Sequence, residues 1–167
     1  MISPFAPKSF PKMPTLEGVN LAVTSAGIKY VDKKDLLYVS FPKGASVAGV
    51  LTKNDICGAP IDWCRKILPK GYARALLVNS GNANVHTGHL GLKAVNDTTK
   101  FIGRHASCRP ENVFVASTGV IGEVLPIDSI LSALPELCSK KYNSPWVDAA
   151  RAIMTTDTYP KAAWCRT

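Results

Sequence analysis

Between residues 19 and 52 the apolar positions fall in three short clusters, "VNLAVTSAGI", "DLLYVSF" and "ASVAGVLT". Each is rich in Val, Leu, aromatics or Thr and is bounded by Gly, Asp-Lys-Lys or Pro-Lys-Gly, which predicts three strands as antiparallel neighbours. The period then changes. In "APIDWCRKILPKG", Ile61, Cys64 and Ile67 with Leu68 recur at helical spacing before a Pro-Lys-Gly stop. "ARALLVNS" at 73–80 is apolar on both faces, the pattern of a central strand. From His89 to His105 the positions Leu90, Ala94, Thr98, Phe101 and His105 repeat every three or four residues, widened by Leu92, Val95 and Ile102, and predict an amphipathic helix. "CRPENVFVAS" supplies a connector and a fifth strand. "LPIDSILSALPEL" reads as a helix opened by Pro126 and interrupted at Pro135, and "SPWVDAARAIM" as a last helix with Ser144 as N-cap and Pro145 at its first position.

Residues 1–17 hold four of the twelve prolines and predict an extended lead-in on the surface, with residues 18–167 forming part of a single domain. Strands first and helices later argue for an α+β fold with mixed α/β layers and against a doubly wound nucleotide fold. No GxGxxG, GxxxxGK[ST] or GxSxG motif and no internal repeat is present.

Composition narrows the function. Hydrophobic residues make up 46% and charged residues 19%, a globular profile, and the apolar runs are too short to span a bilayer. "MISPFAPKSFPKMP" lacks the apolar core of a secretory signal. The net charge of +8 comes from scattered bases: the densest pairs, Lys33–Lys34 and Lys140–Lys141, never grow into a basic arm, so no nucleic-acid partner is expected. Five cysteines, Cys57, Cys64, Cys108, Cys138 and Cys165, form no CxxC pair and suit a reducing, cytoplasmic setting as packing residues. Trp63, Trp146 and Trp164 are also expected to pack. His86 and His89 have no further ligand at metal spacing and read as a loop and helix start.

Three polar segments, the first two bearing glycine, each follow a well-patterned apolar element: "NSGNAN" at 79–84, "STGVIGE" at 117–123 and "MTTDTYPK" at 154–161. If the strands ending at Asn79 and Ser117 are neighbours, their loops share one edge and form one floor. Gly119 permits a backbone turn with its N–H outward, and Thr118 sets a hydroxyl donor beside it. Two donors aimed at one point are what a tetrahedral oxyanion needs. The chain has no His-Asp base near a Ser or Cys, so either the nucleophile lies elsewhere or the segment is only a turn. Asp157 in MTTDT is expected to cap its turn in preference to orienting a substrate amine.

The runs "RALLVNSGNAN", "VFVASTGVIGEVLPID" and "DAARAIMTTDTYPKAA", together with "ASVAGVLTKNDICGAP", resemble the amino-terminal part of the ornithine acetyltransferase family, the bifunctional glutamate N-acetyltransferases of arginine biosynthesis. All occur in the family's order, over roughly residues 15 to 163. The resemblance implies a layered α/β sandwich unlike the usual Ntn hydrolases. It further implies a precursor that cuts itself before a threonine, with this chain as the α part of an α2β2 heterotetramer and the β chain's new amino-terminal threonine as nucleophile. By position Thr118 and Gly119 would form the oxyanion hole and Thr155 would contact substrate, N-acetyl-ornithine or glutamate. An amino-terminal threonine serves as its own base through an α-amine of pKa about 7.7 to 8.0, which removes the need for histidine. No metal or tightly bound cofactor is implied; acetyl-CoA serves some members as a second donor, and no residue here decides that use. The family pattern continues past MTTDT with a lysine- and glycine-rich segment and an Ala-Thr cleavage point; neither is among these residues, and Thr167 does not sit in the cleavage motif. Two other readings stay open, an amidase or aminopeptidase with the same threonine logic and a basic phosphate- or nucleic-acid-binding module. Replacing Gly119 is expected to leave folding intact and to depress turnover a hundredfold or more.

Overall fold

The computed structural model describes residues 2–139 and 143–166. Four strands form one sheet in the order β1 (Asn20–Thr24), β2 (Leu36–Ser46), β3 (Tyr72–Asn82), β4 (Val113–Val120). The first two pairings are antiparallel and β3–β4 is parallel. The helix α1 (Ala59–Ile67) connects β2 to β3, and α2 (Gly88–His105) makes the crossover that a parallel pair requires. Two more helices, α3 (Ile127–Ser139) and α4 (Trp146–Ala152), follow β4.

Strand alternation sorts the core into two layers. Ala22, Leu36, Tyr38, Ala75, Leu77, Val113 and Val115 face α1, α2 and α3, where Ile102, Ile130, Leu134 and Leu137 are fully buried. Their alternates Leu21, Val23, Leu37 and Val39 face the other way, against Ala149 and Ala152 of α4. This is the mixed, layered α+β arrangement expected, with β3 central.

The details depart from expectation at four places. "ASVAGVLT" is not a strand of its own: Ala45 and Ser46 end β2, opposite Ala73 and Tyr72, and the ladder skips from Ser40 to Ala45. Pro42 has no N–H to give and Gly44 takes φ +82, so Pro-Lys-Gly makes an irregularity within one long strand. Beyond Ser46 no strand lies opposite, because β3 begins at Tyr72. Pro135 does not interrupt α3: its ring is exposed, and Ile130, Leu134 and Leu137 carry the buried face across it. Ser144 is not a cap; Pro145 holds the N-cap with φ −60, while the Ser144 N–H donates to Leu21 O at 2.7 Å and ties the helix entry to β1. On α2 the buried stripe is Gly91, Ala94, Val95, Thr98, Thr99 and Ile102, leaving Leu90 and Leu92 exposed.

Residues 2–17 of the lead-in have neither helix nor strand and are held to α4 where Trp146 Nε1 donates to Pro14 O at 3.0 Å. Cys165 and Trp164 are exposed, against the expectation that they pack, since the chain there has left every regular element. The Lys140–Lys141 pair and Thr167 lie outside the described residues.

Candidate active site

The two strands expected to share an edge do so. Asn79 pairs with Ser117, Ser80 with Thr118 and Gly81 with Gly119, all in the parallel β3–β4 ladder. Both strands outrun their predicted ends, to Asn82 and Val120, so Ser117, Thr118 and Gly119 are rungs of the sheet and not a loop beyond it.

Small residues end these strands because the two backbones touch. Gly119 has φ +136, and a Cβ built there would lie 2.2 Å from the Gly81 carbonyl carbon and 2.5 Å from Asn82 N. Gly81, at φ +101, would meet the Lys29 Cβ at 3.0 Å. No L side chain fits at Gly119 without separating β3 from β4, so the expectation that replacing Gly119 leaves folding intact is corrected. Thr118 is half-buried beside it, and its hydroxyl bonds no other group among the described residues, whereas Gly119 is exposed.

Behind these rungs lies a polar floor. Ser117 Oγ donates to Asn79 Oδ1 at 2.5 Å, and Asn79 Nδ2 donates to Asn82 O at 2.8 Å. Asn82 Oδ1 accepts the Asn84 N–H at 2.8 Å, and Asn82 Nδ2 reaches Glu123 O at 3.0 Å. Asn79, Ser80, Asn82 and Asn84 are all buried, and most of their side-chain bonds hold backbone groups, so the segment "NSGNAN" works as scaffold beneath Thr118. Two further bonds, Ala83 N–H to Val120 O and Gly122 N–H to Val85 O, lace the exits of β3 and β4 together.

Thr155 stands apart from this pair. It is half-buried in the turn after α4 and lines a recess of about 580 Å³ with Lys33, Lys34, Arg151 and Asp157. Thr118 and Gly119 are not part of that recess. The link runs through β3: Ser80 Oγ donates to Ala152 O, the last residue of α4, at 2.7 Å. Asp157 is ion-paired with Lys161, which holds its carboxyl below the usual carboxylate range.

Three residues that matter to this geometry, Asp35, Ser80 and Lys33, carried no site role in the sequence. Asp35, 1% exposed, accepts the N–H groups of Ala26 at 2.6 Å and Ile28 at 2.7 Å, and so holds the segment that packs on Gly81. Its only signal is an acid directly before a run of buried apolar residues. Nothing in the sequence pointed to the partners of Ser80 and Lys33, which lie more than seventy residues away.

An apolar cavity of about 330 Å³ follows the outer edge of β4, between α1 and residues 47–51, and ends at Ser117. Along that edge Trp63 Nε1 and Cys64 Sγ donate to Val113 O and Val115 O, which leaves only the Ser117–Val120 end uncapped by α1. Burial pushes the Cys64 thiol up and the Cys138 thiol to about 12. His86 lies in the loop before α2 and His89 in its first turn, both exposed, and no group of His, Cys, Asp or Glu among the described residues is placed to hold a metal.

Known proteins give this arrangement a context. The ArgJ family model matches residues 20–167. The arginine biosynthesis bifunctional protein ArgJ of Gluconobacter oxydans is 51% identical over 97% of this chain and 38% of its own length; that of Rhizobium meliloti is 48% identical over 97% and 39%. The chain thus spans well under half the length of these curated relatives. A crystal structure of ArgJ from Bacillus halodurans superimposes with a TM-score of 0.76 at 32% identity, covering 85% of this chain and 74% of that one. A structure of ornithine acetyltransferase from Mycobacterium tuberculosis, complexed with ornithine, gives 0.79 at 34% identity, covering 84% and 77%.

Proposed function

Because the chain belongs to the ArgJ family, we propose that it is the α-chain portion of an acetyltransferase that moves acetyl from N-acetyl-ornithine to glutamate, completed by a separate β chain in an α2β2 assembly in the cytoplasm. In this reading residues 18–167 contribute part of one α/β domain, and the β chain's amino-terminal threonine attacks the amide carbonyl. Its hydroxyl proton passes to its own α-amine. The carbonyl oxygen, now negative, is held by the Thr118 hydroxyl and the Gly119 N–H. When the C–N bond breaks, that proton leaves with ornithine, and the acetyl remains as an ester on the threonine. Glutamate then enters the same pocket, its amine attacks the ester, and acetylglutamate departs as the threonine regains its proton. Thr155 contacts the amino-acid part of either substrate. No metal or tightly bound cofactor enters this scheme, and acetyl-CoA is an additional donor to be tested alongside.

The supporting observation is the Ser-Thr-Gly end of β4, locked in register against β3 by a glycine-to-glycine contact, in a chain aligned over 97% of its length with ArgJ proteins. The family assignment favours acetyl transfer over the amidase and the basic binding module. Co-production with the β chain, followed by incubation with N-acetyl-ornithine with and without glutamate, tests it. Acetylglutamate is expected only with both substrates, and an intact-mass measurement should find a larger companion polypeptide beginning with threonine. Free acetate in place of acetylglutamate would transfer the reading to an amidase, and no product from either substrate mixture would refute acyl transfer altogether.

A further inference from the structure

The turn that carries Thr155 is fastened at two points. Ser80, fully buried, donates its hydroxyl to Ala152 O at 2.7 Å, and Lys33 Nζ donates to Met154 O. The Ala152 carbonyl ends α4, where the helix has no further N–H to satisfy it, and the Met154 carbonyl lies two residues on, in the turn itself. Both donors come from other elements: Ser80 from β3, where it is paired with Thr118, and Lys33 from the connection between β1 and β2. Each donor is itself held. The Ser80 N–H donates to Asp35 O at 2.9 Å, and Lys33 O accepts the Ser25 hydroxyl at 2.7 Å. Ala152 is fully buried, so the first fastening lies inside the protein, and the second lies on the wall of the recess that Thr155 lines.

We infer that Ser80 and Lys33 are positioning residues: they set where Thr155 stands relative to Thr118 without touching substrate themselves. This rests on the proposed acetyl transfer. The physical reason is that Thr118 is fixed by the sheet whereas Thr155 sits on a turn that follows a helix of seven residues; the Ser80 and Lys33 bonds tie the helix end and that turn to β3 and to the β1–β2 connection, beside the Lys34–Asp148 ion pair at the start of the helix. A loose second contact would leave the acyl carbon misplaced against the oxyanion donors, and displacements of about 1 Å are known to cost on the order of a hundredfold in rate.

The test uses the assembled α and β chains and four variants, Ser80→Ala, Lys33→Met, Lys33→Arg and Thr155→Ala, with kcat and KM for N-acetyl-ornithine and glutamate read separately. Ser80→Ala and Lys33→Met are expected to lower kcat/KM about tenfold or more, with Lys33→Arg restoring most of the loss. On a Thr155→Ala background the same substitutions should change little, because the residue they place is gone. Full, additive losses on that background would overturn the positioning role, as would unchanged kinetics in Lys33→Met. If Ser80→Ala does not fold, Lys33 at the recess wall carries the test alone. A wild-type assembly that moves no acetyl from N-acetyl-ornithine overturns the underlying reading and this inference with it, whereas active wild type with additive variants overturns the inference only.

Discussion

Substituting Gly119 by alanine gives the sharpest test of the sheet geometry. The added Cβ would lie 2.2 Å from the Gly81 carbonyl carbon, 2.5 Å from Asn82 N and 2.6 Å from Gly81 O, so the obstacle is backbone and cannot rotate away. The residue also keeps a φ of +136, which L side chains rarely adopt. The conformational cost is about 1–3 kcal/mol, and forcing an atom into a filled space adds about 1–3 kcal/mol. Together they come to about 2–6 kcal/mol, a large share of the ~5–15 kcal/mol that holds a domain folded. Gly122→Ala is the matched control: its φ is +85, and nothing lies within 4 Å of the added atom, so it bears the conformational cost alone. Thermal melting followed by circular dichroism should place Gly119→Ala below Gly122→Ala by several degrees, since 1 kcal/mol moves a domain of this size by roughly 2–4 °C. If the two melt together, or Gly119→Ala melts higher, the close approach of β3 and β4 is not what requires glycine there. A loss of activity in Gly119→Ala would therefore not isolate the oxyanion role.

Thr118 isolates it better: Thr118→Val keeps the shape, and in the assembled enzyme should lower kcat about 10²–10³-fold with melting nearly unchanged, while a kcat within twofold of wild type would remove the hydroxyl from the oxyanion hole. Asp35→Ala strands the Ala26 and Ile28 N–H groups, at about 1–3 kcal/mol each, and should destabilise by about 2–6 kcal/mol in urea titration, with Asp35→Asn losing less; a loss of stability below about 1 kcal/mol would count against these bonds holding the segment. Thiol titration at pH 8 should modify exposed Cys165 quickly, half-buried Cys138 more slowly and buried Cys64 only after unfolding, and comparable rates at all three would contradict that order of exposure. Because folding raises the Cys138 pKa from 9.0 to about 12, the unfolded chain ionises first as pH rises; its contribution to stability is intact below about pH 9 and is lost by about pH 12, and Cys138→Ala should flatten that part of the profile.

Much of this protein was legible along the chain. The period of α2, the double-sided apolar run of β3 and the strand at Val113–Ala116, buried at Val113 and Val115, depend on residues within one element, where spacing alone decides which face is wet. The candidate oxyanion residues were also legible, because Ser-Thr-Gly after a strand is a local signal and the family motif adds order and spacing. Reading failed where a local stop sign met a distant partner. Pro-Lys-Gly at 42–44 resembles a hairpin turn, yet the strand resumes because β3 still has Ala73 and Tyr72 to offer. Pro135 lacks an N–H, yet α3 continues because three buried side chains outweigh one missing bond.

By itself the sequence determined most of the elements and the class of fold, since those follow from side-chain type and short-range period; Thr118 and Gly119 stood out as a donor pair after a strand, and Thr155 was marked only by the family motif. Tertiary structure alone decided that Gly119 must be glycine because Gly81 lies against it, that Asn79, Asn82 and Asn84 serve the backbone, and that Ser80 and Lys33 reach across to the Thr155 turn. The reason is range: a hydrogen bond or a backbone collision depends on distances of a few ångströms between residues tens of positions apart, and no periodicity within one strand or helix encodes which of them will meet.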